Sequence, residues 1–455
     1  VAQRDSLGFN LLDWLWQDDA CAAALDFDAT FSAWVAVELA LAESQFEMGL
    51  LDERAIREIR QLSGFRPDDL DRFRAAARNV GFPIHDLVQM LNDALPVGVR
   101  GYLHLGATTQ DIMDTAMALQ VRAVAQLLEQ RLISYGDRLS ELTSRHAATP
   151  MAGRTHAQYA VPTTFGLKCA VYLGDATRNL ERLRSATAQA AQVSLFGAAG
   201  TSAAMGAGAR ELRARVAARL GLAAVHLPWH VSRDRFAELA FCCSLLSGSL
   251  ARLAREVVDL SRTEIGEVSE ADGWHRGASS TMPQKRNPIA SEALLGMALA
   301  AQGAAAGMVR AMEAGHERAA GEWHLEWKVL PDTLRSTSSA LTLAGALLGG
   351  LVVNTSVMAR NLSLDHELVM AEAYMLGLAR IMGREAAHDV VYRAARDARE
   401  HDIPLPEALL RLSPSVSSAF VTWPLEITGY LGEAERTSRE AVAAWIDSRQ
   451  TDSDL

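Results

Sequence analysis

The 455-residue chain has few cysteines, no surplus of positive charge and almost no strand signature, and each shortage excludes a class of function. Its four cysteines, Cys21, Cys169, Cys242 and Cys243, lack metal-ligand spacing, and the last two lie in an apolar helical stretch. They read as buried, reduced thiols rather than as a disulfide framework or a metal site. Lysine and arginine number 44 against 55 aspartates and glutamates, a formal net charge of -11. That balance predicts neither a nucleic-acid surface nor a polybasic membrane patch. No stretch joins a basic start, an apolar core and a cleavage site, and every long apolar run is interrupted by charge, so a cytoplasmic location without a membrane partner is expected. Phosphate-cradling loops, dinucleotide fingerprints and paired metal-ligand motifs are also missing. The expectation is an active site with no cofactor and no metal.

Alternation of apolar and polar residues is convincing nowhere, apart from a short candidate pair within 149–162. Helical spacing takes its place. From Asp111 to His146, Pro162 to Val193, Arg233 to Val268 and Ile289 to Met312, glycine and proline are scarce, and a fifth run of this kind begins at Asp332. Each exceeds about 20 residues, roughly twice the average helix. Several are apolar almost all round, which predicts deep burial or coverage by other subunits, and hence an oligomer. The fold class is all-α. Three parts are expected: an N-terminal helical domain over 1–110, a central long-helix bundle over 111–360 and a C-terminal helical domain over 361–455. Within the first, residues 1 to about 25 read as an arm with short helical pieces. Short amphipathic helices follow around DERAIREIRQL and PDDLDRFRAAAR, and Pro83 is placed to start another.

The polar residues worth chemistry gather where long helices meet. The stretch Gly277–Pro288, GASSTMPQKRNP, opens with glycine, sets Ser279 beside Ser280, places Lys285 and Arg286 next to Asn287, and carries two prolines. Such a stretch is a loop, and loops concentrate binding and catalysis; the plain alternative is a surface turn with solvated cations. The stretch YLHLGATTQDIMDT brings His104, Thr108, Thr109, Gln110 and Asp111 to the entry of a helix. Hydroxyls and free backbone N–H groups there suit a carboxylate or phosphate, although Thr109 also suits a simple cap. GRTHAQ offers Arg154, Thr155, His156 and Gln158 in one loop, and HERAAGEWHLEWKVLPD carries His316, Arg318, Glu322, His324 and Lys328, much of it readable as an amphipathic wall. His85 and His230 are isolated candidates. No nucleophile elbow is present to support a seryl hydrolase. Proton abstraction beside a carboxylate fits the set better: it makes an aci-carboxylate with two negative oxygens, for which Lys285, Asn287 and loop N–H groups are suitable donors. A serine base would need its pKa depressed by those same positive surroundings.

These motifs resemble the fumarase/aspartase superfamily over essentially the whole chain. The family's signature loop has the form G-S-S-x-M-P-x-K-x-N-P; here it reads ASSTMPQKRNP, with Ala278 in place of the usual glycine and every polar position intact. LGATTQDIMDT and GRTHAQ match its other two blocks. The resemblance implies a homotetramer of three-domain helical subunits acting on a small dicarboxylate, each active site assembled from three subunits. It implies Ser279 as the base that takes the Cβ proton, with Lys285 and Asn287 on the substrate carboxylate and the aci-carboxylate. Thr108, Thr109 and Gln110 would bind a carboxylate, His104 would line the site, and His156, partnered by Glu292, would act on the acid side or orient substrate. Arg154, Thr155, Gln158 and Arg318 complete the expected binding set. Within the superfamily, LFGAAGTSAAMG, LPWHVSRDR and EWHLEWKVLPD are most similar to the 3-carboxy-cis,cis-muconate lactonizing branch. Adenylosuccinate lyases carry serines and an arginine for a phosphate where this chain has Trp323 and Trp327, which disfavours a nucleotide. Lactonizing members commonly lack the His/Glu pair that this chain keeps. The expected reaction is therefore elimination of a nitrogen group (an amine or nitrite) from a 2-substituted succinate to give fumarate. The alternatives are a 3-carboxy-cis,cis-muconate cycloisomerase and, further off, an adenylosuccinate lyase or a non-catalytic scaffold.

Overall fold

Three aspartates determine where the early helices begin. Asp26, Asp52 and Asp69 each accept a backbone N–H three residues on, from Ala29 at 2.8 Å, Ala55 at 2.7 Å and Arg72 at 2.9 Å. Each bond satisfies a donor that the first helical turn leaves orphaned. The helices they cap are Phe27–Glu47, Glu53–Arg60 and Leu70–Val80, and Pro83 immediately precedes Ile84–Asp93. The computed structural model describes residues 10–450 other than Ala319. The first nine residues of the expected arm and the last five of the expected C-terminal domain lie outside the described residues. From residue 10 onward the arm carries two short helices, Leu11–Trp16 and Asp19–Ala24.

The five long helices are present as Thr109–Arg145, Phe165–Ala190, Asp234–Leu260, Ile289–Ala311 and Glu322–Gly349. The first has 37 residues and is about 55 Å long at 1.5 Å per residue. The fifth starts ten residues before the expected Asp332, because the helix continues through Pro331. Proline removes one N–H and crowds the preceding turn, but Leu330 and Leu334 beside it are fully buried, and their packing outweighs the local preference. Asp234–Leu260 and Ile289–Ala311 have the length and hydropathy of membrane spans; the apolar window of the first is 61% buried within the protein.

Among the described residues, two small antiparallel pairs interrupt the helices. Pro150–Thr155 with Gln158–Thr164 is the expected pair. Val268–Ser269 with Val352–Val353 has no sequence signal, since two residues are too few to show alternation.

The chain divides into two compact units. One comprises Val1–Arg131, Glu181–Gly248 and Gly296–Thr342. Its core gathers Phe31, Trp34, Ile56, Ile59, Phe73 and Leu87, with Ile112 and Ala116 from the longest helix, and Phe31 meets Phe73 edge to face at 5.6 Å. The other comprises Leu132–Leu180, Ser249–Leu295 and Leu343–Leu455. There the helices Ala371–Met382, Arg384–His401 and Leu405–Leu412 close around Tyr374, Leu378, Val391 and Leu409. In the same unit Trp445 packs on Gly136 so closely that an added Cβ would lie 2.1 Å from the indole. The four cysteines are free and buried. Burial pushes their thiols up, to about 11 for Cys21 and about 12 for Cys169, so they are poor nucleophiles at neutral pH.

Candidate active site

In the first unit the TTQD block is organised around Asp111, which is fully buried. Its carboxylate accepts the backbone N–H groups of Thr108 (3.0 Å), Phe196 (2.9 Å) and Gly197 (2.8 Å), and it meets His230 Nε2 at 2.8 Å. These bonds tie the 195–202 segment to the start of the longest helix. Arg213 braces the same segment by donating to the Leu195 carbonyl (3.0 Å) and lying 3.7 Å over the Phe196 ring. His230 therefore serves the scaffold. Arg318 donates to the Thr108 hydroxyl at 3.0 Å and to the Ala198 carbonyl at 2.9 Å, so two of the expected binding residues do meet. Thr109 begins the helix, half-buried. Gln110 is completely buried, with its amide nitrogen on Asp114 (3.1 Å) and the His230 carbonyl (2.8 Å). Its side chain holds the helix start, leaving backbone as what this position presents.

His104 sits at φ 62° with Nδ1 2.6 Å from Glu38, whose side chain is buried. Burial alone would lower its pKa, but the hydrogen bond and charge of Glu38, joined by Asp111, outweigh it and raise the value. The imidazole is thereby biased toward the cation, four residues before Thr108 in the chain. Glu38, 66 residues away in sequence, carried no local signal of this role.

The second unit holds the signature loop. Glu270, nearly buried, accepts Ala290 N–H (3.1 Å), Ser291 N–H (2.8 Å) and the Ser291 hydroxyl (2.8 Å), and so caps the Ile289–Ala311 helix. Residues 271–288 leave and return at that point. The neck of the loop is closed by Asn287 N–H donating to the Gly277 carbonyl at 2.9 Å. Gly277 has φ +67°, and a Cβ there would lie 2.5 Å from the Asn287 carbonyl oxygen, so the position requires glycine. At the tip, Ser279 Oγ accepts the backbone N–H groups of Thr281 (3.3 Å) and Met282 (3.1 Å). Two N–H donors on one hydroxyl oxygen favour its anionic form. Lys285 is exposed three residues beyond, and Asn287, half-buried at the neck, faces a polar cavity of about 120 Å³ that Arg276 and Arg286 also line.

The hairpin presents His156. Thr155 pairs with Gln158, leaving His156 and Ala157 as a two-residue turn, both at positive φ (50° and 61°). Asn-Gly is the sequence suited to that geometry, and two non-glycine residues there store strain, a pattern found at functional sites. Thr155, His156 and Gln158 are exposed. Ala157→Gly is expected to raise stability by about 1 kcal/mol, read as an increased melting temperature with turnover retained; a lowered melting temperature would show the turn to be unstrained. Arg154 is differently employed. Its guanidinium makes a two-pronged pair with buried Glu267 (2.9 and 2.6 Å) and lies 5.0 Å from the Tyr159 ring centroid, so it anchors the hairpin and has only its remaining N–H groups for a substrate. Glu292 is exposed in the first turn of its helix. Among the described residues, His156, Lys285 and Glu292 have no side-chain hydrogen bond or ion pair within the chain. Glu267 and Glu270, which position these groups, were not singled out by sequence, because their partners lie on other elements. Among the described residues no cluster of histidine, cysteine, aspartate and glutamate has metal-site geometry.

The chain is similar to known proteins over most of its length. A family model described as lyase matches residues 31–303. The 3-carboxy-cis,cis-muconate cycloisomerase of Pseudomonas aeruginosa is 40% identical over 415 residues, spanning 89% of this chain and 90% of that protein. The nitrosuccinate lyase of Streptomyces davaonensis is 37% identical over 429 residues, spanning 90% of each. The crystal structure of the 3-carboxy-cis,cis-muconate lactonizing enzyme from Pseudomonas putida superposes with a TM-score of 0.90 at 33% identity, covering 96% of this chain and 99% of that one. With three motif blocks, the fold and near full-length similarity in agreement, the chain belongs to the lyase family and is an enzyme of the fumarase/aspartase superfamily.

Proposed function

We propose that the protein eliminates a nitrogen leaving group, an amine or nitrite, from a small 2-substituted succinate and releases fumarate. The observation that carries this is the Ser279 hydroxyl, held as acceptor by two backbone N–H groups on a loop that also bears Lys285 and Asn287. Ser279 as alkoxide takes the Cβ proton. The electron pair left behind spreads into the adjacent carboxylate, where Lys285 and Asn287 stabilise the two negative oxygens of the aci-carboxylate. Collapse of that intermediate forms the C=C bond as the C–N bond breaks. Thr108, Thr109 and Arg318 receive the substrate's other carboxylate, and His156 with Glu292 orients the leaving side. The presence of both His156 and Glu292, together with the likeness to a nitrosuccinate lyase, supports elimination.

The active form is a homotetramer with sites shared between subunits. This reading is supported by His156, Lys285 and Glu292, exposed and unpaired within one chain, and by apolar residues such as Phe241, Leu299 and Val309 exposed on the long helices. A second reading, a 3-carboxy-cis,cis-muconate cycloisomerase, is supported by the relatives of that name. Fumarate formation, followed by ultraviolet absorbance, from nitrosuccinate and a panel of amino-substituted succinates separates the two when 3-carboxy-cis,cis-muconate is run in parallel. Fumarate from a nitrogen-bearing succinate is the expected result. Consumption of the muconate alone overturns elimination and leaves the cycloisomerase.

A further inference from the structure

Two buried side chains of the helix Phe27–Glu47 hold the turn that precedes Thr108. Glu38, whose side chain has no exposed surface, meets His104 Nδ1 at 2.6 Å. Gln45 donates its amide to the Leu105 carbonyl at 2.8 Å. Residues at this spacing share one helix face, so one face grips two successive residues of the turn. The backbone of His104 is left-handed, at φ 62°, a strained conformation that persists only where the surroundings over-determine it. Ala107 N–H closes the turn on the His104 carbonyl at 3.4 Å. Within the turn, the Gly106 carbonyl lies against Gly197, where an added Cβ would be 3.3 Å from it. The next residue, Ala198, accepts from the same Arg318 nitrogen that donates to the Thr108 hydroxyl. Contacts on both sides of Gly106 thus tie the His104 turn to the Thr108–Arg318 pair.

Glu38 Oε2 is buried without a hydrogen bond, so among the described residues His104 is the one side chain that offsets this carboxylate. A buried carboxylate is costly unless a cation or donor faces it. The charged groups acting on His104 are Glu38, from the helix Phe27–Glu47, and Asp111, from the longest helix, and both favour the imidazolium. Ala204 and Met205, which pack on Gly106, carry no charge, and Arg318 enters at Thr108. With Nδ1 engaged, Nε2 is the ring nitrogen without a partner among the described residues, on a side chain 22% exposed. We propose that Glu38 is a positioning residue for substrate: by holding Nδ1 it presents His104 Nε2–H as a charged donor to the carboxylate that Thr108 and Arg318 receive. This rests on the reading of Thr108 and Arg318 as a carboxylate site, and it applies to a succinate and a muconate alike, since both bring a carboxylate. When the imidazole loses its proton, the pair keeps only the negative charge of Glu38, which repels substrate. Affinity therefore falls as pH rises through the His104 titration, and without Glu38 that fall begins at lower pH.

Glu38→Gln keeps the shape and removes the charge. KM is measured across pH in the variant and the unaltered protein, with whichever compound is turned over, the nitrogen-bearing succinate or 3-carboxy-cis,cis-muconate. The ratio of the two KM values cancels titrations common to both proteins. It is expected to rise from near one at about pH 5.5, where an unassisted imidazole is protonated, to about tenfold at about pH 7.5, the difference between a charged and a neutral hydrogen bond. The loss should be larger in KM than in kcat. A ratio that does not change with pH would make Glu38 purely structural and overturn the proposal. A second measurement needs no substrate: NMR titration of the full chain carrying isotope-labelled histidine, with the His104 signal identified by its loss in His104→Gln. The His104 midpoint is expected above that of free histidine, and lower in Glu38→Gln. A midpoint at or below the free value in the unaltered protein overturns the proposal even if Glu38→Gln fails to fold. Which compound is consumed decides between elimination and cycloisomerisation separately, so failure of that reading is distinct from failure of this one.

Discussion

Ser279→Ala is expected to lower kcat by about 10²–10⁴-fold, the usual contribution of a positioned general base, while fumarate binding changes little. The variant removes one oxygen and leaves the loop's supports in place: Asn287 N–H on the Gly277 carbonyl, and Glu270 on the Ala290 and Ser291 N–H groups. What is lost is the atom on which two backbone N–H donors converge. A serine hydroxyl is a poor base unless its anion is stabilised, and on the proposed mechanism those donors, with Lys285 near in sequence, supply that stabilisation. On the proposed mechanism the alkoxide acts only as the Cβ proton leaves, so the loss is expected in kcat, with KM and the fumarate dissociation constant nearly unchanged. Retained turnover would remove Ser279 from the mechanism, and a parallel collapse of fumarate binding would make it a binding residue.

The largest effect on stability is expected from Arg233→Met, a loss of about 3–5 kcal/mol at neutral pH. Arg233 is buried between Asp114 (2.8 and 3.1 Å) and Glu326 (2.8 Å to Nε). Asp114 also accepts from Trp323 Nε1 at 3.1 Å and from Gln110 at 3.1 Å. Burial would lower the arginine's pKa, but the two carboxylates raise it and hold it charged. Burial raises the Glu326 pKa even with Arg233 against it. Methionine has similar length and no charge, so it leaves two uncompensated carboxyl groups in a buried site. Their folded-state pKa values then rise, the native state binds more protons than the unfolded chain, and stability falls as pH rises. Denaturant unfolding should therefore show a smaller loss at about pH 5 than at about pH 8. A pH-independent loss would mean that packing, not charge, is what Arg233 supplies.

The two variants also mark the limits of reading this chain without its fold. Ser279, Lys285 and Asn287 were visible because they occur within a short stretch whose glycine and prolines announce a loop, and the five long helices were visible because apolar spacing and scarce glycine and proline are local properties. His156 was visible as part of GRTHAQ, but its presentation on a strained two-residue turn was not, since His-Ala is no turn signal. Pro331 misled for the converse reason: its local meaning is a helix stop, and only the burial of Leu330 and Leu334 carries the helix through it.

By itself, then, the sequence determined the helical class, the motif residues and the superfamily, because each depends on spacing or identity over a few dozen positions. Only the tertiary structure decided that Asp111 organises the TTQD block, that Arg154 is committed to Glu267, that Glu270 pins the signature loop and that Asp114 and Glu326 share Arg233. Most of those partners lie some 20 to more than 100 residues apart in the chain. A carboxylate's role is determined by the donors that converge on it in space, and no periodicity along the chain records that convergence.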